Sequence, residues 1–338
     1  MAPSCTTSHW CPHRCCLPTG KETSMATPSD ITSDLAALRA QLHESGSPHR
    51  ALLQLDPWRS IIDLLIDLAL VGSSVVVVIE WGLGWAPLAI LLLGNRQRAL
   101  GNLLHDAGHR NLCSRRWVND GIARWLLAPL LFASLSLYRT THFRHHQWLG
   151  RADADPDFLV PPAAMPKHWL SRFLACAGSG SAWRGSLWGH LVHAEVSGAG
   201  RSYIVVWWAV ALGLMVLAAG ASFTAHFVGL WLVARATTFH LITTFREMCD
   251  HHGLVPGGVF SFTRDVACHG LLRACIHPRN NGYHLTHHLL PAVPYYRLPQ
   301  AHRLLNRLPI VHARGQVCDA YFTGPRAVVH AWQSDTNR

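Results

Sequence analysis

Apolar runs long enough to cross a bilayer leave a chain few options, because backbone polar groups in hydrocarbon must be satisfied internally and a helix does this within one segment. The first such run covers 61–79, close to the roughly 20 residues that a crossing needs. Trp81-Gly82-Leu83-Gly84-Trp85 then turns the chain, with tryptophans where a membrane interface favours them. A second run covers 85–104, and two more, 202–219 and 222–245, flank Gly220-Ala221. The apolar stretch 125–137 is too short to span and reads as interfacial or re-entrant. The expected fold class is therefore an all-α integral membrane protein with four transmembrane helices in two hairpins. Both termini and the long polar segments then share one side, and their arginines make that side cytoplasmic.

Composition agrees. Of 338 residues, 49% are apolar and only 14% charged, against about 25% charged in a soluble domain. With a mean hydropathy of +0.14, this excludes a disordered chain and a coiled coil. The net charge of +10 fits cytoplasmic Lys and Arg on a membrane protein, and no nucleic-acid partner is expected. Residues 1–50 read as a polar leader followed by a short surface helix ending near Gly46 and Pro48. Residues 51–314 then form the membrane domain, and 315–338 a C-terminal tail. Cys5, Cys11, Cys15 and Cys16 crowd the leader beside His9 and His13, in spacings that match no metal-binding pattern, and Met25 opens a more ordinary N-terminus. Membrane lipids are expected partners.

Two of the runs carry polar stripes. Asn95, Arg98, Asn102, His105 and His109 step by three and four residues, as do Thr237, His240, Thr244, Glu247 and His251. Polar groups in hydrocarbon face a bundle interior or a wet cavity and are usually functional. Asp63 and Asp67, four apart in the first run, are expected at head-group level near a helix N-terminus, which favours acids.

Histidine is the other anomaly: 24 of them outnumber the 19 Asp and Glu together. His105-Asp106-Ala107-Gly108-His109 places two imidazoles on one helical face. His142-Phe143-Arg144-His145-His146 and His284-Leu285-Thr286-His287-His288 each present three over one turn. Imidazole suits iron, zinc, copper and nickel, and these eight nitrogens exceed the needs of one ion and suffice for two. His43, His49, His168, His190, His302, His312 and His330 stand alone and read as structural or surface residues. The three clusters would lie on a cytoplasmic helical cap. Ligand histidines usually donate their second N–H to an acid or carbonyl. Asp106, Asp153, Asp155, Asp157, Glu247 and Asp250 are the acids at hand, with Asp157 following the second cluster and Asp250 preceding His251. Asn280, four residues before His284, would share its face if the helix extends back, and could hold a metal-bound water.

The clusters resemble those of the membrane-bound fatty acid desaturase and hydroxylase superfamily, over roughly residues 60–310. The resemblance also rests on Tyr138-Arg139 before His142, on Asp155-Pro156-Asp157-Phe158, and on Asn280-Asn281-Gly282-Tyr283 before His284. Pro291 to Pro299 and the stretch from Arg246 to His251 extend it, Thr263-Arg264 lying beyond. It implies a non-haem di-iron centre on the cytoplasmic side, with His251 as a ninth ligand preceded by Asp250 where relatives often carry glutamate. Thr286 departs from the glutamate that many relatives have inside the third cluster. The implied activity is dioxygen-dependent desaturation of an apolar acyl chain or lipid-like substrate, in the manner of bacterial acyl desaturases. A hydroxylase or carotenoid-type ketolase on the same scaffold is the alternative, and a small amino-acid-derived substrate is also open. A zinc membrane hydrolase would leave five of the eight cluster histidines without a role. A metal transporter should carry its ligands at mid-span. Val255-Pro256-Gly257-Gly258 lacks the histidine of a fused cytochrome b5 signature. A separate electron donor is therefore implied, a ferredoxin or a cytochrome with its reductase, docking on the basic face. A bacterial inner membrane is the expected location.

Overall fold

The computed structural model describes residues 28–158 and 166–332. The cysteine-rich leader lies outside the described residues, and nothing is added to its reading. The chain is predominantly helical: α1 Pro28–Glu44, α2 Pro57–Trp81, α3 Ala86–Gly108, α4 Arg116–Leu130 and α5 Leu135–Trp148 come first. They are followed by α6 Trp169–Ala177, α7 Gly180–Trp188 and the long α8 Gly198–His251. The short α9 Gly270–Ile276, α10 His284–Leu289, α11 Leu298–Leu305 and α12 Pro309–Arg314 complete the helices that matter here. Two three-residue strands, β1 Arg264–Val266 and β2 Gln316–Cys318, pair in parallel.

Among the described residues, α2 and α8 are the two helices long and apolar enough to cross a membrane. The expected second span, 85–104, forms α3 but falls short on composition, because Asn95, Arg96, Gln97, Arg98 and Asn102 dilute its apolar face. The two runs 202–219 and 222–245 are joined in the single element α8, whose one non-helical residue is Gly220 at φ 88°, ψ 164°. Gly82, between α2 and α3, adopts nearly the same conformation at φ 92°, ψ 168°. The stretch expected to be interfacial or re-entrant is bent by 95° between α4 and α5.

α2 buries the stripe Ser60, Asp63, Leu64, Asp67, Val71, Ser74, Val75 and Val78, and turns Ile62, Leu65, Ile66 and Val76 outward. That periodicity is the amphipathic signature of a helix with one face on a bundle. The outward face here is itself apolar, as a lipid-facing surface requires. α3 approaches α8 closely at Gly94, where a Cβ would come within 2.6 Å of the Thr238 Cβ and 2.7 Å of the Phe239 backbone nitrogen. At that contact α8 passes through one π-helical turn, Arg235–Phe239.

Two expectations need correction. Asp63 and Asp67 do not face head groups or solvent; they are 4% and 0% exposed, inside the protein. Asp63 pairs with Arg279 at 2.7 Å and accepts the Tyr295 hydroxyl at 2.5 Å. Asp67 pairs with Arg96 at 2.6 Å and Arg279 at 2.8 Å. A buried carboxylate is tolerated only when paired in this way, and these pairs tie α2 to α3 and to the segment before α10. The domain boundaries also shift at both ends. Ile31, Leu38 and Leu42 of α1 pack with Phe260, Leu285, Leu305 and Val311, so residues 28–50 belong to the folded body. The expected tail contributes β2 to the sheet and buries Val328, Val329 and Trp332 against Phe245 and Met248, so the fold continues at least to residue 332.

Candidate metal centre

Four elements deliver the histidines. α3 ends at His105 and at His109, whose backbone N–H closes the last turn on the His105 carbonyl at 3.3 Å. α5 presents His142, His145 and His146; α8 ends on His251; α10 carries His284, His287 and His288. They converge in two groups. His105, His109, His142 and His287 form one, and His145, His251, His284 and His288 the other, with one nitrogen from each residue within 4.8 Å of all others in its group. His146 joins the first group: its Nε2 lies 3.1 Å from those of His142 and His287, while its ring stacks on His288 at 4.2 Å. All nine expected ligands are thus brought together.

The protons decide what these contacts are. His145 Nδ1 lies 2.7 Å from an Asp155 carboxylate oxygen, and His251 Nδ1 lies 2.7 Å from the Phe262 carbonyl. Both partners are acceptors, so each Nδ1 carries a hydrogen, and in the neutral ring Nε2 keeps the lone pair that a metal could take. Those lone pairs point at other imidazoles: His251 Nε2 faces His284 Nε2 at 2.9 Å, and His145 Nε2 faces His288 Nε2 at 3.3 Å. Burial holds His284, His287 and His288 well below the usual imidazole pKa, in the neutral form that binds metal. Converging neutral nitrogens about 3 Å apart match the spacing of adjacent ligands that share an ion at roughly 2.1 Å. The donor set fits a pair of transition-metal ions, iron among them.

The supporting residues differ in part from those expected. Asp106 stands behind His105, with Oδ1 3.7 Å from Nδ1 and Oδ2 accepting the Tyr295 backbone N–H at 2.8 Å. Asp250, fully buried, pairs with Arg246 at 2.5 Å and lies 3.6 Å from His284 Nδ1. Glu247 lies one turn before His251 and is half-buried. Asp157, however, is 3.9 Å from His145 with a side chain 58% exposed. Asp155 takes the hydrogen bond instead, because its other oxygen accepts the Gly150 N–H at 2.9 Å and fixes the turn after α5. Nor does the helix extend back from His284 to Asn280. α10 starts at His284, Asn280 has a positive φ of 60°, and its amide donates to the Tyr295 carbonyl at 3.0 Å.

Two groups escaped the sequence reading. The Phe262 carbonyl is backbone and carries no residue signal. Asp265 accepts the Thr286 N–H at 2.9 Å, the Thr286 hydroxyl at 2.5 Å and the N–H of His302 Nδ1 at 2.6 Å. Thr286 thus has a partner of its own inside the third cluster, and His302 supports the site without touching it.

Known proteins are similar to this chain. A family model described as fatty acid desaturase matches residues 83–316. Dihydrorhizobitoxine desaturase of Bradyrhizobium elkanii is 29% identical over 64% of this chain and 67% of its own length. An sn-1 oleoyl-lipid 12-desaturase of Synechocystis is 25% identical over 72% of the chain and 74% of its own length. A beta-carotene 4-ketolase of Protosiphon botryoides is 24% identical over 62% of the chain and 49% of its own length. The matched stretch runs from the turn after α2 to β2 and takes in every histidine of both groups, so the chain belongs to the fatty acid desaturase family and is an oxidoreductase.

Proposed function

We propose that this protein is an oxygen-dependent di-iron desaturase that introduces a carbon–carbon double bond into an acyl chain or lipid-like substrate. The observation that carries the reading is the convergence of nine imidazoles in two adjoining groups. His105, His109, His142, His146 and His287 would hold one iron, and His145, His251, His284 and His288 the other. Bound iron would supply activation of dioxygen and removal of hydrogen from unactivated carbon, where an acid or base has nothing to titrate. The chain's own part is positional. Asp155 and the Phe262 carbonyl fix two tautomers, and Asp106 and Asp250 back His105 and His284.

The membrane arrangement follows from length. A helix of 54 residues reaches about 80 Å at 1.5 Å per residue, against a hydrocarbon core of about 30 Å. With its break at Gly220, α8 supplies two crossings, and α2 with α3 supplies two more, making four spans in two hairpins. The histidines then sit on a cap at the cytoplasmic face of a bacterial inner membrane. A separate ferredoxin or cytochrome delivers the electrons to the basic side.

Comparative mass spectrometry of lipids and small metabolites tests this, using an aerobic host with the gene, without it, and with His287→Ala. A product lacking two hydrogens that disappears with His287→Ala is expected. A product gaining one oxygen would move the assignment to a hydroxylase, and one gaining an oxygen while losing two hydrogens to a ketolase, the activity named for the similar beta-carotene ketolases. Full activity in His287→Ala would overturn the metal centre as drawn.

A further inference from the structure

The start of α2 and the segments on either side of α10 enclose a polar cavity, and none of the nine histidines lines it. Its volume is about 540 Å3, in the range that holds a small ligand. Arg59, Arg279 and Arg297 stand in its wall with two acids, Asp56 and Asp63.

The acids are already committed. Asp63 takes Arg279 Nη1 at 2.7 Å, Arg59 Nε at 3.2 Å and the Tyr295 hydroxyl at 2.5 Å. Asp56 caps α2 by accepting the Arg59 backbone N–H at 3.3 Å. Arg279 is committed as well, since its Nη2 reaches Asp67 at 2.8 Å and the Asp63 carbonyl at 2.7 Å. Arg279 and Asn280 hold consecutive left-handed conformations, each at φ 60°, a costly backbone that is kept where it fixes a geometry.

What remains is cationic. Arg297 makes no ion pair among the described residues; its Nη1 donates to the Ala51 carbonyl at 3.3 Å, and its buried Nε has no partner there. The Arg59 side chain is exposed beyond its Nε contact. The Tyr296 oxygen accepts the Asp56 backbone N–H at 2.5 Å, so its own hydrogen is left to donate. α11 begins at the same wall, with Gln300 in its first turn and no side-chain cap, and a helix start favours an anion. Two guanidinium groups, a hydroxyl and a helix start call for an anion with several acceptor oxygens. Phosphate supplies them, and guanidinium matches its geometry.

We propose that this cavity binds a phosphate ester, with Arg297 and Arg59 on its oxygens, Tyr296 as a third donor and the esterified group in the remaining volume. The site goes beyond the desaturase reading and does not rest on it. Two sources carry this chemistry. Trp58, exposed in the first turn of α2, and the outward Ile62 and Leu65 place the cavity beside an apolar outer surface that suits a phospholipid. A soluble phosphate ester presents the same group.

The test is calorimetric titration of the full-length protein, purified in maltoside detergent, with sn-glycerol 3-phosphate, dihexanoyl phosphatidic acid and dihexanoylglycerol. The two phosphate esters should bind, and dihexanoylglycerol, the same lipid without phosphate, should not. Arg297→Gln should weaken both esters by about tenfold, and Arg59→Gln should weaken them in the same direction. Arg297→Lys keeps the charge and should recover most of the loss. Arg303→Gln, exposed on α11 outside the cavity, should match the wild type. The thermal midpoint of each variant separates lost recognition from lost fold. Tighter binding of phosphatidic acid than of glycerol 3-phosphate assigns the site to a phospholipid, and any other order assigns it to a soluble ester. Dihexanoylglycerol binding as tightly as phosphatidic acid, folded wild-type protein that takes neither ester, or wild-type affinity in Arg297→Gln would each overturn the phosphate site.

Discussion

The imidazole of His145 shows how a single proton organises the centre. Its Nδ1–H is committed to Asp155, so in the neutral ring Nε2 is the nitrogen left to ligate. Asp155→Asn keeps the shape but substitutes a neutral amide for a charged acceptor. Activity or metal affinity should fall by about 10–100-fold, read as turnover and iron content of purified protein. Asp157→Asn should change neither, since that side chain is 58% exposed and 3.9 Å away. The sequence reading singled out Asp157, although both acids follow the second cluster in a loop without periodicity. What separates them is the turn at Gly150, whose N–H bonds one of them, and loop geometry of that kind leaves no regular spacing to read. The convergence of the eight cluster histidines was legible for the opposite reason. A helix converts spacing of three and four into direction, so His142, His145 and His146 declare their common face from the sequence alone.

Among the elements, the contact between α3 and α8 depends on the missing side chain at Gly94. Its neighbours Thr238 Cβ and Phe239 N belong to a packed turn, one of them to the backbone, so a methyl group cannot be absorbed by a rotamer change. Gly94→Ala should therefore destabilise the protein by about 1–3 kcal/mol, as overpacking does, and lower the thermal midpoint in detergent. Gly101→Ala, with open space around its position, is the control expected to match the wild type. Helix existence and the apolar runs could be read in advance, because hydropathy and length suffice. The π-helical turn at Arg235–Phe239 could not, since it arises from this tertiary contact. The pairing of β2 with β1 was hidden likewise, because three-residue strands at 264–266 and 316–318 carry too little pattern to find each other in sequence.

For the whole molecule, what matters is which helix feeds which group. α5 sends His142 and His146 to one and His145 to the other, and α10 sends His287 to one and His284 and His288 to the other. Neither group has a scaffold to itself. If the two groups hold two irons as proposed, emptying one would loosen the two turns that hold the second, so occupancy would be linked, and by reciprocity filling either would favour filling both. Chelator titration followed by iron content and protein stability should then show metal leaving in one steep step, with little singly loaded protein. Two well-separated steps would mean that α5 and α10 are rigid enough to serve each group alone. Under the proposed di-iron reading, a centre so linked would behave as an all-or-none device, sparing the cell a half-loaded enzyme.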